Sequence, residues 1–428
     1  MTGEPPGAGT GPLTTGLPLQ IDVDAFRSRP ISQGRPRGVL HTVEVWLPQT
    51  QAWLYATIEA LRADRPQSIA CETAKELDQF PVDPLYVNPM AWLRSARPFR
   101  RLSGLQRDAW TLHLRRLLRK ARPAVLHSHF GPQGWRDLAA RRRGLPGLHH
   151  VVSFYGYDAT YLPRANPGWV DKYRELFASV DLVLAEGPAM RHQLLVLGAP
   201  PKKTQVHHLG ILLDRLPYRP RKWTGGPLRI MMAGRFIEKK GFPDGIRAAG
   251  LLARSLPVEL TIVGASDETP RSRLEEQRMQ EAIRESGLGG RVRLVGLLPH
   301  EKLHRTAFDH HVLLAPSRTG RDGDAEGGSP VTITELAATG MPVVATTHCD
   351  IPYVLGPHHA PWLAPEGDVG ALADRLRLVA EDPDAWDPIL AADRKRIETE
   401  FDAHRQGLRL GALYDRLSAN DQEGATIG

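Results

Sequence analysis

Short runs rich in Val, Ile and Leu alternate with helical stretches along almost the whole chain, and no other feature restricts its folding as much. In the first half the strand-like runs fall at 38–46, 124–130, 150–154, 180–186 and 204–210. In the second they fall at 228–233, 259–263, 292–295, 310–315 and 343–345. Most are apolar nearly throughout rather than at every second residue, as strands buried on both faces are. Helical segments lie between them at 52–62, 105–119, from near Trp135, at 188–197, at 242–256 and from about 271 to 286. Strands and helices in turn predict parallel sheets covered by helices. The pattern breaks at Arg219-Pro220-Arg221-Lys222-Trp223-Thr224-Gly225-Gly226-Pro227 and then restarts. The expected fold class is therefore α/β, with two Rossmann-like domains facing across a cleft. Residues 36–217 are expected to form the first, 218–227 a linker and 228–400 the second. Residues 401–428 read as an amphipathic helix and tail, and 1–35, rich in Gly, Pro and Thr, as a mobile leader.

A chain of 428 residues can bury two cores of this size. Its formal charge is +7, with basic clusters at 94–101, 115–122 and 141–143. Aromatic residues do not interleave with these clusters as they do in RNA-binding surfaces, so no nucleic-acid partner is expected. The clusters suit a solvated Arg-rich surface or weak peripheral association with an anionic membrane. No apolar run is long enough to span a bilayer, and the N-terminus has no signal-peptide pattern, so the expected location is the cytoplasm, with room for contact at the inner membrane surface. Two cysteines, Cys71 and Cys349, make no disulfide framework.

The chemistry-bearing residues cluster at the ends of the strand-like runs, the edge where open parallel sheets bind ligands. The run at 310–315 leads into the acidic, glycine-rich stretch Asp322-Gly323-Asp324-Ala325-Glu326-Gly327-Gly328-Ser329-Pro330, then a short helix bearing Glu335 and stopped by Gly340 and Pro342. Ser329-Pro330 reads as an N-cap and first-turn pair. Such a helix start offers free N–H groups to an anion, while Gly327 and Gly328 let a ligand approach the main chain. Two carboxylates beside an anion site suit a ligand with phosphate and many hydroxyls, which describes a nucleotide sugar. After the run at 228–233, Arg235 and Lys240 share a glycine-bounded loop, either as a diphosphate clamp or as a solvated basic loop. In the first half, Gln49 and Thr50 follow the first run, as ligand contacts or ordinary turn residues. His127 and His129 alternate onto one strand face, where pocket-lining or core roles outweigh metal binding for want of a third ligand. Tyr155-Gly156-Tyr157-Asp158 forms a polar strand tip.

Several of these motifs in order, from Ala233-Gly234-Arg235 to Lys240-Gly241-Phe242, through Ile262-Val263-Gly264 and Val292-Arg293-Leu294-Val295-Gly296, to Glu326-Gly327 and Glu335-Leu336-Ala337-Ala338-Thr339-Gly340-Met341-Pro342, resemble glycosyltransferase family 4. These are retaining nucleotide-sugar enzymes of GT-B fold, with a glycogen-synthase-like C-terminal half. The first half resembles the family more loosely, through His127-Ser128-His129-Phe130-Gly131, Ser153-Phe154-Tyr155-Gly156 and His207-His208-Leu209-Gly210.

The resemblance implies that Arg235 and Lys240 bind the donor diphosphate and that Glu326 holds the hydroxyls of the transferred sugar. Gly327, Gly328 and Ser329 would line the donor site, Glu335 would bind the ribose, and Gly234, Gly264, Gly296 and Leu297 would border nucleotide and base. Gln49, Thr50, His129, Tyr155 and Asp158 would lie on the acceptor and sugar side. The last helix would cross back to the first domain. The donor would be UDP- or GDP-linked and the acceptor a hydroxyl on a glycan, a lipid-linked sugar or a small molecule. A non-catalytic nucleotide- or glycan-binding member of the fold is the alternative. No cofactor is implied. Asp322-Gly323-Asp324 matches the D-x-D metal signature of the other glycosyltransferase fold, but with Arg235 and Lys240 neutralising the diphosphate the expectation is no metal. The sequence departs from the family twice. One extra residue, Ser329, separates Glu326 from Glu335, and Tyr155 stands where many members have a histidine.

Overall fold

The computed structural model describes residues 38–48, 51–91, 103–141 and 145–426. Its strands form two wholly parallel sheets. The first has seven strands in the order β3-β2-β1-β4-β5-β6-β7. Here β1 is Val39–Trp46, β2 Gln67–Ala74, β3 Leu85–Val87, β4 Val125–His129, β5 His149–Phe154, β6 Leu182–Ala185 and β7 Thr204–Val206. The second has six, β10-β9-β8-β11-β12-β13, with β8 at Leu228–Ala233, β9 Val258–Val263, β10 Val292–Leu294, β11 Val312–Ala315, β12 Val343–Thr346 and β13 Leu363–Ala364. Two Rossmann-like sheets are therefore present. The strands β2 and β3 lie in a stretch that sequence patterning left blank, because Gln67–Ala74 carries Ser, Cys, Glu and Thr instead of an apolar run.

Six helices position the site: α1 (Ala52–Arg62), α2 (Pro188–Val196), α3 (Phe242–Leu252), α4 (His300–Ala307), α5 (Val331–Ala338) and α6 (Ala403–Thr426). Apolar residues on α3, including Ile246, Ala249 and Leu252, are buried against Ile230, Met232 and Ile262 of the second sheet. The apolar side of α5 packs with Met231, Val263 and Leu313 on its opposite face. Burial on both faces is why these strands read as continuous apolar runs.

The last helix lies against the first sheet. Leu410, Leu413 and Tyr414 of α6 join Val39, Val125, Val151 and Leu184 in one buried cluster. A Cβ at Gly407 would meet Ala60 at 2.9 Å, so α6 and α1 touch where Gly407 has no side chain. The two crossings between halves run side by side: Ile211 N donates to Phe401 O at 2.8 Å and Ala403 N to Ile211 O at 2.9 Å. The segment expected to be a linker is partly docked on the second half. Arg219 N donates to Thr339 O, Arg221 N to Gly340 O, and the Arg221 side chain is buried over Phe308. Among the described residues no helix is long and apolar enough to cross a membrane. Of the basic clusters, Arg115 and Arg141 spend their guanidinium groups on Ala139 O and Asp181 of their own chain.

Tyr414 tests the docking of α6, because it is about 1% exposed and its hydroxyl bonds His127 Nδ1. Tyr414→Phe, which strips a buried ring nitrogen of its partner, should cost about 1–3 kcal/mol. Tyr414→Ala should cost about 3–5 kcal/mol through the cavity. Urea unfolding measures both; a loss under about 1 kcal/mol for the alanine variant would mean that α6 contributes little to the first domain.

Candidate active site

In each sheet the strand order reverses beside the first strand of its half, and ligands bind open α/β sheets at such reversals. In the second sheet the reversal lies between β8 and β11, so the loops that follow these two strands flank one crevice. The loop after β8 ends in a tight turn at Glu238–Lys240, closed by Gly241 at φ +64°. A Cβ on Gly241 would stand 1.9 Å from Pro316 O, so only glycine lets this loop lie against the one after β11.

That contact assembles a charge network. Lys240 Nζ lies 2.9 Å from Glu326 Oε1 and 3.1 Å from Oε2, and Ser317 Oγ donates to Oε1 at 3.2 Å. Lys239 Nζ, buried, donates to Asp324 Oδ1 at 3.2 Å and Ala325 O at 2.9 Å. Arg271 reaches Asp322 Oδ2 at 2.7 Å and Asp324 Oδ2 at 3.0 Å. Both carboxylates of the D-x-D stretch are thus paired with cations of the chain itself. Burial alone would raise the Glu326 pKa, but Lys240 and Lys239 outweigh it and hold the group at about 2. Burial lowers the Lys240 pKa. The main chain of the acidic loop is anchored as well: Glu326 N donates to His348 Nε2 at 3.1 Å, and His348 Nδ1 bonds Glu366 Oε1 at 2.7 Å.

Gly234, Gly264 and Gly296 end β8, β9 and β10 side by side, with Gly234 N donating to Val263 O and Gly264 N to Gly296 O, both at 2.9 Å. A Cβ on Gly264 would stand 1.9 Å from Gly234 O, so the tips form a shelf of bare backbone, rimmed by exposed Leu297. Arg235 projects from the same edge and is exposed, without an ion pair among the described residues. The helix start differs from expectation. Helix α5 begins at Val331 with Pro330 at its cap position, so Ser329 is not the N-cap; its hydroxyl is buried without a hydrogen-bond partner. Helix α5 runs unbroken from Val331 to Ala338 and carries Glu335. Further along α5, Glu335 accepts from His300 Nε2 at 2.8 Å and His304 Nε2 at 3.2 Å. Against the opposing effect of burial, these two histidines hold its pKa at about 2.

On the first half, a hydrogen-bond chain crosses the sheet edge to Tyr155. Gln67 Nε2 donates to Arg65 O, which turns its Oε1 toward His41 Nε2 at 2.7 Å. His41 Nδ1 must then accept, so His129 Nε2 donates to it at 2.9 Å, and Tyr155 O–H donates to His129 Nδ1 at 2.6 Å. Burial lowers the pKa of His41 to about 4 and that of His129 well below the usual value. Burial likewise raises the Tyr155 pKa well above 10.0. His129 lies buried inside the sheet edge and bonds the Tyr155 hydroxyl from behind. His41, brought in by the parallel register of β1 with β4, supplies the third histidine beside His127 and His129 that spacing did not reveal. All six ring nitrogens are already hydrogen-bonded, those of His127 to Tyr414 and Ser153.

Asp158 is likewise turned inward. It is fully buried and accepts from Gly131 N at 2.8 Å and Tyr155 N at 2.9 Å, tying two strand tips together. Burial raises its pKa to about 6. Gln49 and Thr50 lie outside the described residues.

The two halves meet at the acidic loop. A Cβ on Gly156 would stand 2.3 Å from Glu326 O, and one on Gly327 would stand 2.5 Å from Gly156 Cα. Ala325 N donates to Thr160 Oγ1 at 3.2 Å. Tyr155 and Glu326 thus belong to segments in direct contact across the cleft. Glycosyltransferase models match both halves: "Glycosyltransferase Family 4" over residues 51–215 and "Glycosyl transferases group 1" over 227–382. An amylovoran biosynthesis glycosyltransferase of Erwinia amylovora is 34% identical over 68% of this chain and 69% of its own.

The chain belongs to glycosyltransferase family 4. A second relative, a putative colanic acid biosynthesis glycosyltransferase of Escherichia coli, is 31% identical over 69% of this chain and 71% of its own. The fold matches sucrose-phosphate synthase of Thermosynechococcus elongatus, with a TM-score of 0.71 and 18% identity over 90% of this chain and all of that one. It also matches Anabaena HepE in complex with UDP and glucose, at 0.67 and 16% identity over 89% of this chain and all of that one. The architecture is GT-B.

Sequence reading missed Lys239, Arg271, His348 and Asp350, which build the acidic loop and its contact with the first half. Only His348 and Asp350 carried a usable signal, since Thr347-His348-Cys349-Asp350 follows β12 at the same ligand-facing edge. The Lys240–Glu326 pair yields a pH test. With a folded pKa of about 2 against an ordinary value of ~4.3, it contributes stability that is fully present above about pH 4.3 and lost as pH falls through about 2. Lys240→Met should remove roughly 3 kcal/mol at pH 7 by stranding a buried carboxylate, and should flatten that acid loss. Urea unfolding at pH 7 and pH 3 checks this; equal losses at both pH values would rule out an ion pair as the source.

Proposed function

We propose that this glycosyltransferase is a retaining enzyme that moves a sugar from a UDP- or GDP-sugar to an acceptor hydroxyl without a metal ion. The observation that carries the reading is the Lys240–Glu326 pair at the reversal of the second sheet, with Arg235 exposed on one side and Tyr155-Gly156 of the first half on the other. Arg235 and Lys240 neutralise the diphosphate, offsetting the charge that grows on it as the sugar departs. Glu326, ionised at any working pH, accepts hydrogen bonds from sugar hydroxyls. The bare shelf at Gly234, Gly264 and Gly296 receives the nucleotide with Leu297 against the base, and Glu335 takes the ribose in exchange for its histidine partners. The UDP bound by HepE supports a uridine donor.

Asp322 and Asp324, already neutralised by Arg271 and Lys239, favour cationic side chains over a divalent ion for the diphosphate. Tyr155 is a poor base, because its pKa is raised and its proton is committed to His129. In a front-face displacement the leaving phosphate oxygen takes the acceptor's proton as the acceptor oxygen bonds the anomeric carbon, so no side-chain base is needed. Tyr155 then positions the sugar as a hydrogen-bond acceptor. Two of the named relatives belong to biosynthesis, which supports a glycan or lipid-linked acceptor.

Arg235→Ala, Lys240→Ala and Glu326→Ala should each lower transfer about a hundredfold or more, with the Arg235 variant keeping the wild-type unfolding midpoint. Release of free nucleotide from UDP- and GDP-sugars, with and without acceptor, measures this. Wild-type rates in the Arg235 and Lys240 variants would sink the clamp. Donor binding without any turnover in the parent protein would indicate a non-catalytic member of the fold. A strong loss for Asp324→Ala with none for Glu326→Ala would move the sugar contact to Asp324.

A further inference from the structure

We propose that the crevice at the reversal of the first sheet is an acceptor subsite for an uncharged pyranose ring, held against Trp53, Phe130 and Tyr155, which rests on the transferase reading above and names the chemical class of its acceptor. The first sheet reverses between β1 and β4, so the loops after these two strands flank its crevice, as those after β8 and β11 flank the crevice of the second. Trp53 stands at the start of α1, just past the first of these loops, and Phe130 directly follows β4. Tyr155 directly follows β5, the next strand. Ring centroids lie 4.3 Å apart for Trp53 and Tyr155, 4.9 Å for Phe130 and Tyr155, and 6.4 Å for Trp53 and Phe130, so the three form one aromatic surface. Gly156, next in the chain to Tyr155, lies against the Glu326 carbonyl. A ring seated on this surface therefore borders the loop that holds the transferred sugar.

Three features set the surface apart from an ordinary edge of the core. All three rings are only partly buried, whereas Trp46 and Phe154, which end β1 and β5, are wholly so. Grouped exposed aromatic area beside a cleft marks a ligand groove. Phe130 stands at φ +74°, a backbone conformation in which a bulky side chain is an outlier, and its N–H is fixed to Ser153 O at 2.9 Å. Such outliers persist where the surroundings impose them, and they gather at ligand sites. The groups directly behind the surface are uncharged: burial lowers the pKa of His41 to about 4 and that of His129 well below the usual value, and the Tyr155 hydroxyl is engaged with His129. A neutral aromatic surface suits a neutral ring over a phosphate. The negative face of each aromatic ring attracts the polarised C–H groups on the flat side of a pyranose, while the sugar hydroxyls project from its rim, where one of them can face the donor.

Methyl pyranosides of glucose, galactose, mannose and N-acetylglucosamine, offered to the full chain with UDP-glucose, UDP-galactose, UDP-N-acetylglucosamine or GDP-mannose, test this. One of them should raise nucleotide release above the rate with donor alone, and in saturation-transfer NMR the protons on one face of its ring should take up most of the saturation. Trp53→Leu keeps an apolar side chain on α1, and Phe130→Asn suits the left-handed backbone while removing the ring. Each should raise the KM for that pyranoside roughly tenfold or more, with the KM for the donor unmoved. A purely structural role would shift both KM values together or only the unfolding midpoint. Donor turnover with no response to any of these pyranosides would overturn the subsite and leave the transferase reading standing, and so would an unchanged pyranoside KM in both variants. Absence of turnover with every donor would overturn both.

Discussion

Glu326 is ionised in a place with little water, and the cleft depends on keeping it so. Removing a carboxylate from solvent is costly unless cations face it, and here two consecutive lysines divide the task. Lys240 neutralises Glu326, while Lys239 holds the preceding turn by Asp324 and the Ala325 carbonyl. Neither lysine would reach the acidic loop unless Gly241 allowed the main chain to run against Pro316. One left-handed glycine thus links a backbone conformation to the electrostatics of the site. The same requirement explains why the D-x-D carboxylates turn to Arg271 and Lys239: in a crowded acidic loop every charge that loses water needs a fixed partner.

The acidic loop is also where the halves touch, so the charge network and the domain contact share residues. Gly156 and Gly327 let two main chains meet at distances no side chain would permit. Nearby, Asp350 of the second half accepts from Ala189 N at 2.9 Å, serving the start of α2, where Gly187 occupies the cap position and has no side chain. A helix cap supplied by the opposite domain forms only while the halves are together. The crossings at Ile211 and at Phe401–Ala403 lie side by side and bond to each other, so the covalent connection between halves is narrow. Near the site, polar and backbone contacts hold the two halves together.

Behind Tyr155, the chain Gln67–His41–His129 shows how a buried polar network sets direction. The Gln67 amide is oriented by the Arg65 carbonyl, and each neutral ring passes that orientation on, so the Tyr155 proton points inward. That direction is decided by residues from three different strands and a loop.

Local pattern was enough for some of this protein. Continuous apolar runs announced strands buried on both faces, and helices between them required parallel crossovers, so the two-sheet class was legible without coordinates. Gly241, Lys240 and Glu326 were legible as candidates because they lie in loops that follow strands, at the edge where such sheets bind ligands. The weakly apolar β2 and the short β3 escaped, since periodicity carries no signal for an edge strand with mixed composition. Partnership was beyond the sequence as well. That Asp158 and His129 turn inward, that Lys239 serves Asp324 while Lys240 serves Glu326, and that His41 completes a histidine cluster depend on residues 27 to 88 positions apart being brought within about 3 Å. Sequence determines which groups can carry charge or a proton; only the packing of two sheets decides which of them lose water together and must therefore pair.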